Sequence, residues 1–246
     1  MVFKNSPACR LKFFIITLIL FFGFSLLPLL SQSNCINLDE IPQRKVRKYI
    51  QARSIDTMPD FSRIQSSWKK EVRESDFNVR EKTFFLKYRL SNVWECYSHA
   101  RPTTTWNASC FRLGLLISKT LNRALYVDNS FLPPIDTGQV FFINLRLLKG
   151  LVNAPVAFEV INIDIDNQIL EVSYIDNNKS KGKQTIQFFD NGDGRTRIVH
   201  RSYFKSGSKF YDALVYPHFH KKFVKEFHRN MGRIVGTTVV NISASR

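Results

Sequence analysis

Residues 154–174, APVAFEVINIDIDNQILEVSY, and residues 216–235, YPHFHKKFVKEFHRNMGRIV, decide the fold. In the first stretch Val156, Phe158 and Val160 sit at every second position. Ile161, Ile163 and Ile165 continue the alternation in the opposite phase, the pattern of a strand with a bulge at Val160/Ile161. Leu170, Val172 and Tyr174 form the next strand, and Ile186 with Phe188, then Ile198, His200, Ser202 and Phe204, extend the series. The intervening Asp166-Asn167, Asp176-Asn177-Asn178 and Asp190-Asn191-Gly192-Asp193-Gly194 tolerate positive φ or hydrogen-bond their own backbone, so each predicts a hairpin turn. In the second stretch Phe219, Phe223, Phe227 and Met231 recur every fourth residue, opposite Lys221, Lys225, Arg229 and Arg233. Pro217 suits the first helical turn, where its missing N–H is not needed. The order predicts an α+β fold in which a curved antiparallel sheet grips a long C-terminal helix.

Upstream, Phe84, Leu86, Tyr88 and Leu90 at period two predict the first strand over 83–93. Thr103-Thr104-Thr105 before Trp106 reads as the cap of a helix ending near Leu125, with Leu113, Leu116, Ile117 and Leu121 on one face. Residues 139–148 read as a further strand, making six in all. The folded domain is thus expected over 83–236, followed by a tail at 237–246. Residues 34–82, with Arg44-Lys45, Arg47-Lys48 and Lys69-Lys70, read as a charged linker with short helices.

Lys4, Arg10 and Lys12 precede an apolar run from Phe13 to Leu30, and Ser31-Gln32-Ser33 follows it. Residues 1–33 therefore read as a signal peptide or a membrane anchor, because the run is just long enough to span a bilayer while Pro28 breaks its helix near the end. The domain is therefore expected to be extracytoplasmic, secreted or periplasmic, or else membrane-anchored by residues 13–30. In an oxidising compartment Cys96 and Cys110 would close a loop contributing about 2–4 kcal/mol; two buried thiols are the alternative.

Thirty-six basic against 20 acidic residues give a formal charge of +16, which favours polyanions and anionic membrane. No finger spacing, RNA-binding aromatic motif or basic zipper accompanies that charge, so nucleic acid is not an expected partner. Phosphate loops, nucleophile elbows and zinc-protease motifs are absent as well, and no cofactor is expected. The 22 Phe imply a bulky apolar interior or an apolar cavity.

The order of strand, helices, long antiparallel run and final helix resembles the START-like, polyketide-cyclase superfamily of helix-grip proteins, and looks closest to bacterial members of unknown function. The resemblance covers residues 83–235. It rests on Phe158-Glu159-Val160 through Tyr174, the Gly182-Lys183-Gln184 strand start, Arg195 to Phe204 and the helix from Pro217. It implies an elongated apolar cavity for a lipid, sterol or polyketide, with Phe219, Phe223 and Phe227 facing it. The chain departs from the family in having six expected strands rather than seven, and in the segment from Trp94 to Trp106.

The expected function is a binder or carrier of a hydrophobic molecule, its cavity lined by Phe158, Tyr174, Phe188, Phe204, Phe219, Phe223 and Phe227. A cyclase- or isomerase-like enzyme on the same scaffold is the alternative. There His200, which shares a strand face with Ile198, Ser202 and Phe204, would act as acid or base. A non-catalytic envelope interaction protein docking through Lys221, Lys225 and Arg229 is the third reading. Metal binding is not expected, since His218 and His220 point about 200° apart on a helix. Asp190 to Gly194 lacks the bidentate Glu of a calcium loop, the twelfth position being Arg201. Arg195, Arg197 and Arg201 read as an exposed basic strand face or an anion clamp.

Overall fold

A computed structural model describes residues 35–128 and 132–244, with side chains to residue 239; the apolar run expected to be a leader or anchor lies outside them. Nine strands form one antiparallel sheet among the described residues. They are β1 (Asn78–Leu86), β2 (Asn107–Ala108), β3 (Phe111–Ser118), β4 (Arg123–Tyr126), β5 (Gln139–Leu147), β6 (Val152–Asp164), β7 (Ile169–Tyr174), β8 (Ser180–Asp190) and β9 (Thr196–Ser206). Their order is β1-β9-β8-β7-β6-β5-β3-β2, with β4 paired to β3. The helices are α1 (Arg44–Gln51), α2 (Leu90–His99), α3 (Pro102–Thr105) and α4 (Tyr216–Ala244).

The meander from β6 to β9 falls where the alternation placed it. Pairing shifts from Val160↔Val172 to Asn162↔Glu171, so the phase change is a bulge. Gln168, Asn177, Gly192 and Gly194 adopt positive φ in the three hairpins. Gly182 has φ 124, and a Cβ there would lie 2.0 Å from the Tyr203 carbonyl oxygen on β9, so only glycine allows β8 to start this close to its partner.

Helix α4 buries Phe223, Phe227, Met231 and Val235 against the concave face of the sheet. It does not stop at residue 236. The expected tail continues the helix to Ala244, with the Thr237 and Thr238 hydroxyls donating to the carbonyls of Arg233 and Ile234.

Three further expectations are corrected. The first strand begins at Asn78, five residues early, because its opening half is the exposed edge of the sheet and carries no buried alternation. The period-two signal at Tyr88 and Leu90 belongs instead to the turn into α2, which occupies the segment after Trp94. The helix expected to end at Leu125 is the hairpin of β3 and β4. Its apolar residues cluster without alternating because both faces of β3 are buried, Leu113 and Leu116 on the concave side, Leu115 and Ile117 on the convex side. The strand count rises from six to nine accordingly.

Residues 34–82 are not a linker. Short helices are present, as expected, but Ile41, Val46, Tyr49, Ile50 and Phe61 form a second core on the convex face with Leu115, Ile117, Val140, Phe142 and Ala157. Gly114 lets α1 approach, since a Cβ there would meet the Gln43 side chain at 2.7 Å and Val46 at 3.0 Å. Lys119 Nζ donates to Glu159 at 2.7 Å and to the Ile64 carbonyl at 2.9 Å, tying the segment to the sheet. Cys96 and Cys110 are separate buried thiols, and burial pushes Cys110 up to about 11.

Phe61→Ala is therefore expected to cost about 3–5 kcal/mol by urea unfolding, as removal of a fully buried aromatic does. A change below about 0.5 kcal/mol is what a linker residue would give.

Candidate functional site

The space between sheet and α4 is largely filled. Trp106 packs among Phe227, Phe141, Phe111 and Phe223 with ring centroids 5.0, 5.7, 6.0 and 6.2 Å away. What remains is two chambers. An inner one of about 40 Å³ is bounded by Tyr97, Trp106, Phe141, Gln184, His200 and Phe227. The outer one, about 140 Å³, lies at the first turns of α4 between Val156, Tyr174, Lys179, Tyr216, Phe219 and His220. Phe158 and Phe223 border both, their rings 6.4 Å apart and nearly parallel, and so form the partition.

The seven residues expected to line a cavity separate as follows. Phe158 and Phe223 make the partition, Tyr174 and Phe219 belong to the mouth, and Phe227 to the inner chamber. Phe188 and Phe204 border neither. Phe188 packs edge-on against Trp94 and Tyr97, and Phe204 stacks at 3.8 Å beneath Tyr216.

A chain of polar side chains crosses this apolar interior. Tyr97 Oη lies 2.9 Å from His228 Nδ1, His228 Nε2 lies 2.9 Å from His200 Nδ1, and His200 Nε2 lies 2.8 Å from Gln184 Oε1. Gln184 also hydrogen-bonds the Tyr174 hydroxyl, which is 3.0 Å from that of Tyr216. The directions follow from the acceptor at one end. Gln184 Oε1 requires a proton on His200 Nε2, which makes His200 Nδ1 an acceptor for the His228 Nε2–H and leaves His228 Nδ1 to accept from Tyr97. Every link is satisfied with both imidazoles neutral. A further proton would set two N–H groups face to face and place the charge among buried, mostly apolar side chains.

The acid–base properties follow. Burial holds His228 down at about 3, and burial with the neighbouring His228 and His220 holds His200 well below the ordinary imidazole range. His220 is lowered to about 4 by burial and by Lys82, and its Nε2 sits 3.1 Å from Ser202 Oγ. Burial also keeps the Tyr97 and Tyr216 hydroxyls protonated, well above their ordinary value.

His200 thus lies in the interior, where its strand face predicted it. His228, its partner, was legible as the one polar member of the stripe Val224, His228, Met231, Val235. Tyr97 and Gln184 carried no local signal. His218 is exposed, and among the described residues no cluster of three His, Cys, Asp or Glu is placed to hold a metal ion. Arg201 pairs with Glu81, Arg195 with Asp193, and Arg197 covers the Phe189 ring at 4.1 Å, so that strand face is engaged in pairing.

This architecture is a helix-grip fold. A point mutant of norcoclaurine synthase from Thalictrum flavum, in complex with a transition-state analogue, superposes with a TM-score of 0.50 at 12% identity, over 65% of this chain and 95% of that one. Ginseng major latex-like protein 151 from Panax ginseng gives 0.47 at 10% identity, over 63% and 95% of the two chains. A conserved protein from Geobacillus kaustophilus gives 0.46 at 11%, over 65% and 97%. No family model and no curated protein sequence matches the chain.

The neutral imidazoles set the acid limit of stability. An unfolded histidine protonates near 6.5, so below that pH the unfolded chain binds protons that the folded one refuses, and stability falls as pH falls. Each such group contributes a slope of about 1.4 kcal/mol per pH unit between its folded and unfolded values. Urea midpoints should drop from pH 6.5 to 4.5, and less steeply in His228→Gln, which is itself expected to be less stable at pH 7 by about 1–3 kcal/mol. An unchanged slope in the variant would mean His228 is not held neutral.

Proposed function

We propose that this protein binds a small hydrophobic ligand, one aromatic ring in size with polar substituents, in the chamber at the first turns of α4. The observation that carries the reading is that chamber: about 140 Å³, walled by Val156, Phe158, Phe219 and Phe223, with Tyr174, Tyr216, Gln184 and His220 supplying polar atoms. A cavity of about 150 Å³ holds benzene, so the magnitude favours a single ring over an acyl chain or sterol. A longer lipid or polyketide would enter only if Phe158 and Phe223 swing apart to join the inner chamber. The helix-grip fold is consistent with such binding, and the norcoclaurine synthase structure of this fold is itself in complex with a small molecule.

The protein acts, in this reading, outside the cytoplasm, exported or tethered through residues 13–30. Among the described residues no helix is long and apolar enough to cross a membrane, and the tether would be the N-terminal run. Its excess positive charge would draw it to anionic membrane. The outward resemblance to bacterial proteins of unknown function belongs to the same proposal.

One observation favours the enzyme alternative as well. The chain from Tyr97 to Gln184 has both ends on the inner chamber, and neutral imidazoles linked in series can pass a proton to or from a bound molecule. His200 would then be the acid or base, with Tyr174 or Ser202 positioning the substrate.

Thermal unfolding against a panel of substituted phenols and long-chain fatty acids tests the binder. A matched ring at one hundred times its Kd contributes about 2.7 kcal/mol of stability. Ala154→Trp, which fills the mouth, should abolish that gain while leaving the ligand-free protein folded. If no phenol raises the melting temperature, or the rise survives Ala154→Trp, the chamber is not the site.

A further inference from the structure

On the opposite flank of α4 lies a crevice that the ligand chamber does not use. It measures about 200 Å³ and runs between edge strand β1 and the first turns of α4, bounded by Arg80, Glu81, Lys82, Ser202, His220 and Lys221. The sheet register builds it. Arg80 pairs with Ser202 and Lys82 with His200, so two cations of β1 stand on the concave face beside the polar residues of β9. Partial burial, and then Lys221 and Lys225 approaching from the helix, lower the Lys82 ammonium below its ordinary range.

These charges are uncompensated. Arg80, Lys82, Lys221 and Lys225 have no carboxylate within ion-pair range among the described residues, and the one carboxylate that borders the crevice is Glu81. Glu81, at the same edge, is committed to Arg201, which donates to its Oε2 from Nε at 2.9 Å and from the guanidinium tip at 2.6 Å. Like charges gathered without a counter-ion oppose folding, and their placement over polar side chains is explained if an anion completes the cluster. The floor adds hydrogen-bonding groups. The Ser202 hydroxyl is buried against His220 Nε2, and the His220 ring is held by stacking on Tyr216 at 4.9 Å, nearly parallel.

We propose that the crevice between β1 and α4 binds a phosphate-class oxyanion, with Lys82, Lys221 and Arg80 as its cations and Ser202 and His220 at its floor. The chemistry is that of a phosphomonoester, whether on a soluble molecule or a lipid headgroup. His220 also borders the ligand chamber, so the two sites share one wall.

The test uses the full-length chain in non-ionic detergent, titrated with inorganic phosphate against sodium chloride of equal ionic strength. Phosphate is expected to raise the melting temperature beyond the chloride control. In Lys82→Gln/Lys221→Gln the phosphate Kd should weaken at least tenfold, while Lys205→Gln, elsewhere on the surface, should respond as the unsubstituted protein does. Without phosphate at low salt, Lys82→Gln should melt higher than the unsubstituted protein, because the repulsion is relieved, which separates loss of the site from loss of the fold. No phosphate effect beyond chloride, or an equal effect in the double variant, overturns the proposal. Vesicle binding then identifies the source. Preference for phosphatidic acid over phosphatidylglycerol at matched surface charge, lost in the double variant, assigns the group to a lipid headgroup; a response to free phosphate without that preference assigns it to a soluble ester. Phenol binding in the mouth should persist in Lys82→Gln/Lys221→Gln, so either proposal can fail alone.

Discussion

Everything inside the sheet depends on the aromatic face of α4 meeting Trp106. Phe223 and Phe227 lie on that face, and Trp106, at the end of α3, fills the space between them and Phe141 on β5. A curved antiparallel sheet has a concave face too wide for its own side chains to close, and one amphipathic helix with a bulky stripe is the economical filling. The aromatic residues fill it nearly to completion. The 40 and 140 Å³ that remain are separated by two of the same rings, so ligand access and core packing are controlled by the same side chains.

The imidazole chain imposes a second constraint. His200 on β9 and His228 on α4 are bonded to each other across the junction of sheet and helix, so the register of α4 along the sheet is fixed by directional bonds as well as by shape. Shifting the helix by one residue would place a phenyl or an arginine against His200 and leave a buried nitrogen without a partner. Burial and these bonds disfavour a net added proton, which leaves the interior polar yet uncharged near neutral pH. On the crevice side of α4 the balance is reversed, and cations gather at the edge of the sheet.

The convex side explains the arrangement of the rest. Residues 36–64 cover β3, β5 and β6, so these strands are buried on both faces and resemble strands of a parallel α/β sheet in composition. That covering also packs behind the partition residue Phe158, whose neighbour Ala157 belongs to the convex core.

The sequence by itself determined the meander from β6 to β9, its bulge, its turns and the gripping helix, because each of those strands keeps one face more polar than the other and each turn carries its own chemistry. It also placed His200 in the interior. Only the tertiary structure decided that 36–64 is a second layer, that the run after Trp106 is a hairpin, and that Cys96 and Cys110 stay apart. A segment that hides few apolar residues shows no period of its own, and a strand buried on both sides loses the alternation by which strands are recognised. The site divides the same way. His228 sits in a helical stripe and was legible there, whereas Tyr97, Gln184 and Lys82 gain their roles from partners more than 100 residues, or a strand crossing, away. Hydrogen bonds and like-charge clusters between distant strands leave no local pattern, since what selects each residue is the group that folding brings opposite it.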